Sequence, residues 1–178
     1  DLALVSLIGL RAVQQKLSRA LGWIERTAGV VLMGLCFYLY GMWENDRVDA
    51  RWDASRYPDR PVPCGAVSVS VLRLLSLVAG LSGLVLNMAL GGEFAAGAVL
   101  LIVISLYNMF HKLWSGSVFL MGLCRGLWVL AAGLVFAHAA GEPVLPASLL
   151  WYAFGLFAFT CLISMVARRE AGRPRVQA

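Results

Sequence analysis

The chain has 178 residues, of which 60% are apolar and 14% charged, and its formal net charge is +5. A soluble domain carries about 25% charged residues. Here the charges cluster between long uncharged runs, which excludes an ordinary water-soluble globule and points to one membrane domain over residues 1–178. The basic residues stand at the ends of apolar runs instead of forming a stripe interleaved with aromatics, so nucleic acid is not an expected partner.

Residues 1–26 come first and differ from the rest. Leu2–Leu10 is apolar but too short to span, and Leu10, Val13, Leu17, Leu21 and Ile24 then recur at helical spacing opposite Arg11, Gln15, Lys16 and Arg19. Two readings stand: an amphipathic helix lying in the membrane interface, or part of a first spanning helix. The chain starts at Asp1 without a methionine or a recognisable signal peptide, so it reads as a fragment or a processed product.

Five apolar runs follow, at Thr27–Trp43, Val67–Leu90, Phe94–Phe110, Val118–Ala139 and Ala147–Ala167. About 20 apolar residues cross a bilayer as a helix. In lipid a lone strand would leave its backbone polar groups unpaired, so each run must be helical. The predicted fold is therefore an all-α polytopic transmembrane bundle of about five spans plus the N-terminal element. Gly80, Gly83, Gly122, Gly126 and Gly133 would allow close packing of helices. Cys36, Cys64, Cys124 and Cys161 are too scattered for a zinc site or a disulfide framework. Apart from residues 1–26 and the spans, every Lys and Arg lies in 44–66, 111–116 or 168–178, and none in 91–93 or 140–146. The positive-inside rule then puts the three basic segments in the cytoplasm. Arg11, Lys16, Arg19 and Arg26 run against that assignment, which marks the N-terminal region as atypical.

The chemistry concentrates after the first run, in Asn45-Asp46-Arg47-Val48-Asp49-Ala50-Arg51-Trp52-Asp53. No helix breaker precedes it. If the helix continues, Asn45, Asp49 and Asp53 share a face at i, i+4 and i+8, with Asp46 beside them. Stacked carboxylates repel unless a cation sits among them. Oxygen donors without His or Cys favour a hard ion such as Mg²⁺, which commonly completes its shell with substrate phosphates. The plain alternative is a solvated loop in which Arg47, Arg51, Arg56 and Arg60 pair with the aspartates. Arg125, well inside the fourth run, is costly in lipid and must face a polar interior, either as an anion contact or paired with Asn108 or a carbonyl.

Asn-Asp-x-x-Asp-x-x-x-Asp followed by Arg60-Pro61-Val62-Pro63-Cys64-Gly65-Ala66-Val67-Ser68 resembles the first signature of the UbiA superfamily of intramembrane prenyltransferases. Tyr107 and Lys112 resemble that family's Tyr…Lys element, and Met121-Gly122-Leu123-Cys124-Arg125-Gly126-Leu127 looks like the branch containing EboC-type proteins. The resemblance covers residues 27–170.

It implies a helical bundle whose cavity opens to lipid. Such a protein transfers a prenyl group from a prenyl diphosphate to a small acceptor, aromatic or lipid-like, with Mg²⁺ as cofactor. Carried over residue by residue, Asn45, Asp46, Asp49 and Asp53 become metal ligands. Arg60, Lys112 and Arg125 become diphosphate contacts, and Asp49, Asp53 and Lys112 the residues closest to the chemistry. The family pattern has nine spans and a second Asp-rich motif after the span at 147–167, where this chain has Arg168-Arg169-Glu170. That departure keeps a second reading in play, a non-catalytic membrane subunit or lipid-binding protein. A CDP-alcohol phosphotransferase would need Asp-Gly-x-x-Ala-Arg, a string that does not occur.

Overall fold

A computed structural model describes residues 2–142 and 144–171. Five helices make up the bundle: α1 (Leu2–Ala54), α2 (Val69–Ala89), α3 (Phe94–Phe110), α4 (Ser117–Ala140) and α5 (Ala147–Ala171). No strand occurs among the described residues. The last four helices coincide with the expected spans to within a few residues. α1, α2, α4 and α5 are long and apolar enough to cross a membrane, whereas α3 is apolar but has only 17 residues. At 1.5 Å per residue α3 is ~26 Å long, just short of a typical hydrocarbon core.

The main departure is α1. The run at Thr27–Trp43 is the middle of one helix of 53 residues, ~80 Å long. Its start and its motif-bearing end are continuous with the span, because no proline occurs before Pro58 to interrupt it. The N-terminal stretch is thus the leading part of α1 and not a separate helix. Trp23 stacks on Phe136 of α4 at 5.8 Å, which marks the level where α1 joins the bundle. Before that level Val13, Leu17 and Leu21 are exposed, and Leu10 lies outside the described side chains.

α1 packs chiefly on α2, α4 packs on α5, and α3 lies between the two pairs. Small residues permit the close approaches. A Cβ on Gly122 would stand 2.8 Å from the Phe157 carbonyl of α5 and 2.5 Å from the Cys161 sulfur. Gly83 likewise faces the Phe37 ring across the α1–α2 seam. The main buried cluster comprises Val30, Met33, Phe37, Leu100 and Val135. Leu74, Leu77, Leu81, Phe154 and Leu162 point outward and are exposed, which suits lipid contact far better than water.

Caps set the ends. Ser68, the last residue of the Arg-Pro-x-Pro tail, is the N-cap of α2, and its hydroxyl accepts the Val71 N–H at 3.2 Å. Gly141 closes α4 in the left-handed conformation at φ 73°. The tail of the signature is therefore a turn followed by a helix start.

Candidate functional site

The site begins where α1 leaves the apolar layer. Asp49 and Asp53 are buried, at 5% and 4% exposure, although both are carboxylates on successive turns of one helix. Like charges at i, i+4 repel, and buried carboxylates require partners. Both come from elsewhere in the chain. Lys112, just past the end of α3, puts its Nζ 2.7 Å from Asp49 Oδ2 and 3.6 Å from Asp53 Oδ1. Arg60, from the α1–α2 loop, bonds Asp53 Oδ2 at 2.7 Å. That bond, and then the charge behind it, holds the guanidinium above its ordinary pKa range. Asn45 Nδ2 donates to Asp49 Oδ2 at 3.3 Å, and His111 Nε2 lies 3.4 Å from the same oxygen.

Aromatic rings seat these cations. The Lys112 ammonium lies 3.8 Å from the centre of the Trp52 ring, and Arg56 stacks over the same ring at 4.1 Å. Arg60 lies over Tyr57 at 4.7 Å, and Tyr107 stacks on His111 at 5.4 Å. Such contacts fix long side chains that would otherwise lose ordering entropy on pairing.

Beside the carboxylates a cavity of about 430 Å³ runs between α1, α3 and α4. Asn45, Asp46 and Arg125 form its polar end with Tyr107 and Asn108, while Gly34, Phe37, Leu100, Ile104 and Trp128 line the apolar remainder. The motif therefore divides. Asn45 and Asp46 line the cavity, whereas Asp49 and Asp53 lie ~6 and ~12 Å further along the helix axis, buried under Lys112 and Arg60. Sharing one helix face therefore does not bring Asn45, Asp49 and Asp53 into one cavity, because the axial rise separates them. Arg125 reaches the cavity as its cost in lipid required. It does not pair with Asn108, whose amide donates instead to the Gly41 carbonyl of α1 at 3.0 Å.

The other arginines of the motif divide as well. Arg47 is paired with Glu44, and Glu44 also accepts from Ser76 of α2 at 3.3 Å. Among the described residues Arg51 forms no ion pair with an aspartate of the motif. The loop reading, in which interspersed arginines merely neutralise the aspartates, holds for Arg60 alone.

Two residues escaped sequence reasoning. His111 joins the Asp49 cluster. Arg168, at the place where a second acidic motif was expected, caps the α3–α4 turn from α5 and donates to the carbonyls of His111 (2.9 Å), Trp114 (3.3 Å) and Ser115 (2.8 Å) and to the Ser117 hydroxyl. It holds the turn that presents Lys112. Arg168→Ala is expected to raise amide hydrogen exchange across 111–117 and to loosen the pairing of Lys112 with Asp49 and Asp53. Arg168→Lys should rescue only part of this, because an ammonium lacks the planar fork.

The donor set suits a hard divalent ion. Asp53 Oδ1 is buried without a hydrogen-bond partner, and Asn45, Asp46, Asp49 and Asp53 offer only oxygen for coordination. Among the described residues no group of three His, Cys, Asp or Glu side chains stands close enough together to hold a metal ion by itself.

The sequence model of the UbiA prenyltransferase family matches residues 3–175. The match takes in the leading part of α1 as well as the region that carries the motifs. No curated protein and no solved structure matches the chain. With four helices able to cross a membrane and a family match over almost its whole length, the chain is an integral membrane protein and belongs to the UbiA prenyltransferase family.

Proposed function

We propose that this chain transfers a prenyl group from a prenyl diphosphate to a small, aromatic or lipid-like acceptor within the bilayer, with Mg²⁺ as cofactor. The observation that carries the reading is the pairing of buried Asp49 and Asp53 with Lys112 and Arg60, about one to two helical turns beyond Asn45 at the polar end of an apolar cavity. A prenyl diphosphate has the same two-part character, a compact anion on an apolar chain. Asp49 and Asp53 would hold the metal, with Asn45 and Asp46 beside them. Bound there, Mg²⁺ would neutralise charge on the diphosphate and make it a better leaving group.

The chain's own residues do the rest. Lys112 and Arg60 would exchange the aspartates for the diphosphate oxygens, and Arg125 would meet the anion from the cavity side. When the bond from the allylic carbon to oxygen breaks, the electron pair leaves with the diphosphate. Tyr107, at the polar end of the cavity, borders the space where the positive charge develops. The apolar walls keep water from capturing that carbon before the acceptor does. The acceptor's nucleophilic atom then bonds to it and loses its proton to the departing diphosphate.

Basic residues at the same end, including Arg51, Arg56, Arg60, Lys112 and Arg169, support a cytoplasmic position for this face. Arg173 and Arg175, counted with them in the sequence, lie outside the described residues. The test is a transfer assay in nanodiscs, with geranylgeranyl diphosphate and a panel of phenolic acids, quinols and lipid alcohols. Release of inorganic diphosphate with a prenylated product, lost on adding chelator, is the expected result. An absence of both transfer and Mg²⁺-dependent diphosphate binding would overturn the reading.

A further inference from the structure

Away from Asn45 the cavity lining ends at Gly34 of α1, Leu100 of α3 and Trp128 of α4. The Trp128 indole approaches Gly34 so closely that a Cβ there would stand 2.6 Å from Cζ2 and 2.8 Å from Cη2. Phe37 meets the indole edge-on with ring centres 6.4 Å apart. On the side of Trp128 away from Asn45, Met33, Ala131 and Val135 have no exposed surface, and Met33 and Val135 belong to the main buried cluster. From Gly34 to Asn45 is ~17 Å along α1. The cavity is thus a slot with a polar end and an aromatic stop.

From this geometry we propose that Trp128, seated on Gly34, is a specificity-determining residue that limits the length of isoprenoid tail the slot accepts. The inference rests on the prenyl diphosphate reading above. An extended tail anchored by its diphosphate beside Asn45 and Asp46 runs along the slot past Met42, Tyr38 and Ile104. It must stop, bend or leave sideways where it meets the indole. Removing the indole opens the slot toward the core layer, so a longer tail buries more of its length. Adding a methyl group at Gly34 does the opposite, because the indole must move back into the slot.

The experiment measures equilibrium binding of geranyl, farnesyl and geranylgeranyl thiodiphosphates to the full chain in nanodiscs with Mg²⁺, for wild type, Trp128→Ala, Trp128→Leu and Gly34→Ala. In Trp128→Ala the geranylgeranyl-to-farnesyl affinity ratio should rise about tenfold, the gain from burying two further methylenes. Trp128→Leu should rise less, which keeps the test open if the alanine variant does not fold. Gly34→Ala should shift preference toward geranyl. If wild type binds all three analogues and the ratios are unchanged in every variant, the stop is elsewhere and this inference fails alone. If none of the three binds wild type, the prenyl diphosphate reading fails and takes the inference with it.

Discussion

Asp49→Asn is expected to abolish Mg²⁺-dependent capture of a prenyl diphosphate while leaving the bundle folded. The substitution keeps the shape of the side chain and removes one charged oxygen donor. Asp49 Oδ2 collects Lys112 at 2.7 Å, Asn45 at 3.3 Å and His111 at 3.4 Å, so it is the centre of the cluster. Losing its charge has two separable effects. The metal loses an anionic ligand, which should weaken metal-dependent diphosphate affinity by roughly a hundredfold or more, since even changes behind a metal's ligands cost 10–100-fold. The fold loses less, on the order of 1 kcal/mol, because Lys112 still has Asp53 and an amide oxygen can still accept a hydrogen bond. Binding of geranylgeranyl thiodiphosphate with Mg²⁺ and with chelator, alongside thermal unfolding, separates the two. Unchanged metal-dependent affinity in the variant would reduce the motif to a structural ion-pair cluster.

Local chemistry was legible in the sequence and partner choice was not. The i, i+4, i+8 spacing of Asn45, Asp49 and Asp53 reads directly as one helix face, and α1 continues through them. The uninterrupted start of α1 could have been read too, from the lack of proline before Pro58. His111 and Arg168 are different. Arg168 reaches the α3–α4 turn across more than fifty residues, and helical periodicity says nothing of pairings at that range. The same limit explains Arg125 and Asn108. Arg125 was expected to face a polar interior with Asn108 as one candidate partner, but only the packing of α3 on α1 decides that Asn108 takes the Gly41 carbonyl. Lys112 was singled out through the family's Tyr…Lys element. Nothing in its own surroundings marks it as more than a lysine at a helix end, and its carboxylate partners lie some sixty residues upstream.

Lys112→Ala should change metal binding and diphosphate binding in opposite directions. In wild type the ammonium sits where a divalent ion would be drawn, within 2.7 Å of one buried carboxylate and 3.6 Å of the other. A metal arriving alone must displace it, and a diphosphate arriving alone must pull it from two anions. Together they exchange partners at little cost, so wild type should bind each weakly alone and both well together. Without Lys112 the carboxylates repel across one turn of helix, with Arg60 left to offset Asp53 alone. Breaking a buried pair costs about 3–5 kcal/mol. Lys112 is only partly buried, with a quarter of its side chain exposed, so about 2 kcal/mol of folding stability is the expected loss in chelator. Mg²⁺ should restore most of that, because an ion that binds only the folded state stabilises it in proportion to the logarithm of its saturation. Its affinity in the absence of diphosphate should rise about tenfold over wild type. Diphosphate affinity in the presence of Mg²⁺ should nevertheless fall by about tenfold or more, since the charge that met the phosphate oxygens is gone. Thermal unfolding across a Mg²⁺ titration, with and without geranylgeranyl thiodiphosphate, reads both arms in one experiment. If the Mg²⁺-induced rise in unfolding temperature is the same in the variant and wild type, Lys112 does not occupy the metal's place. Its pairing with Asp49 and Asp53 would then be a fixed strut between α1 and the α3–α4 turn.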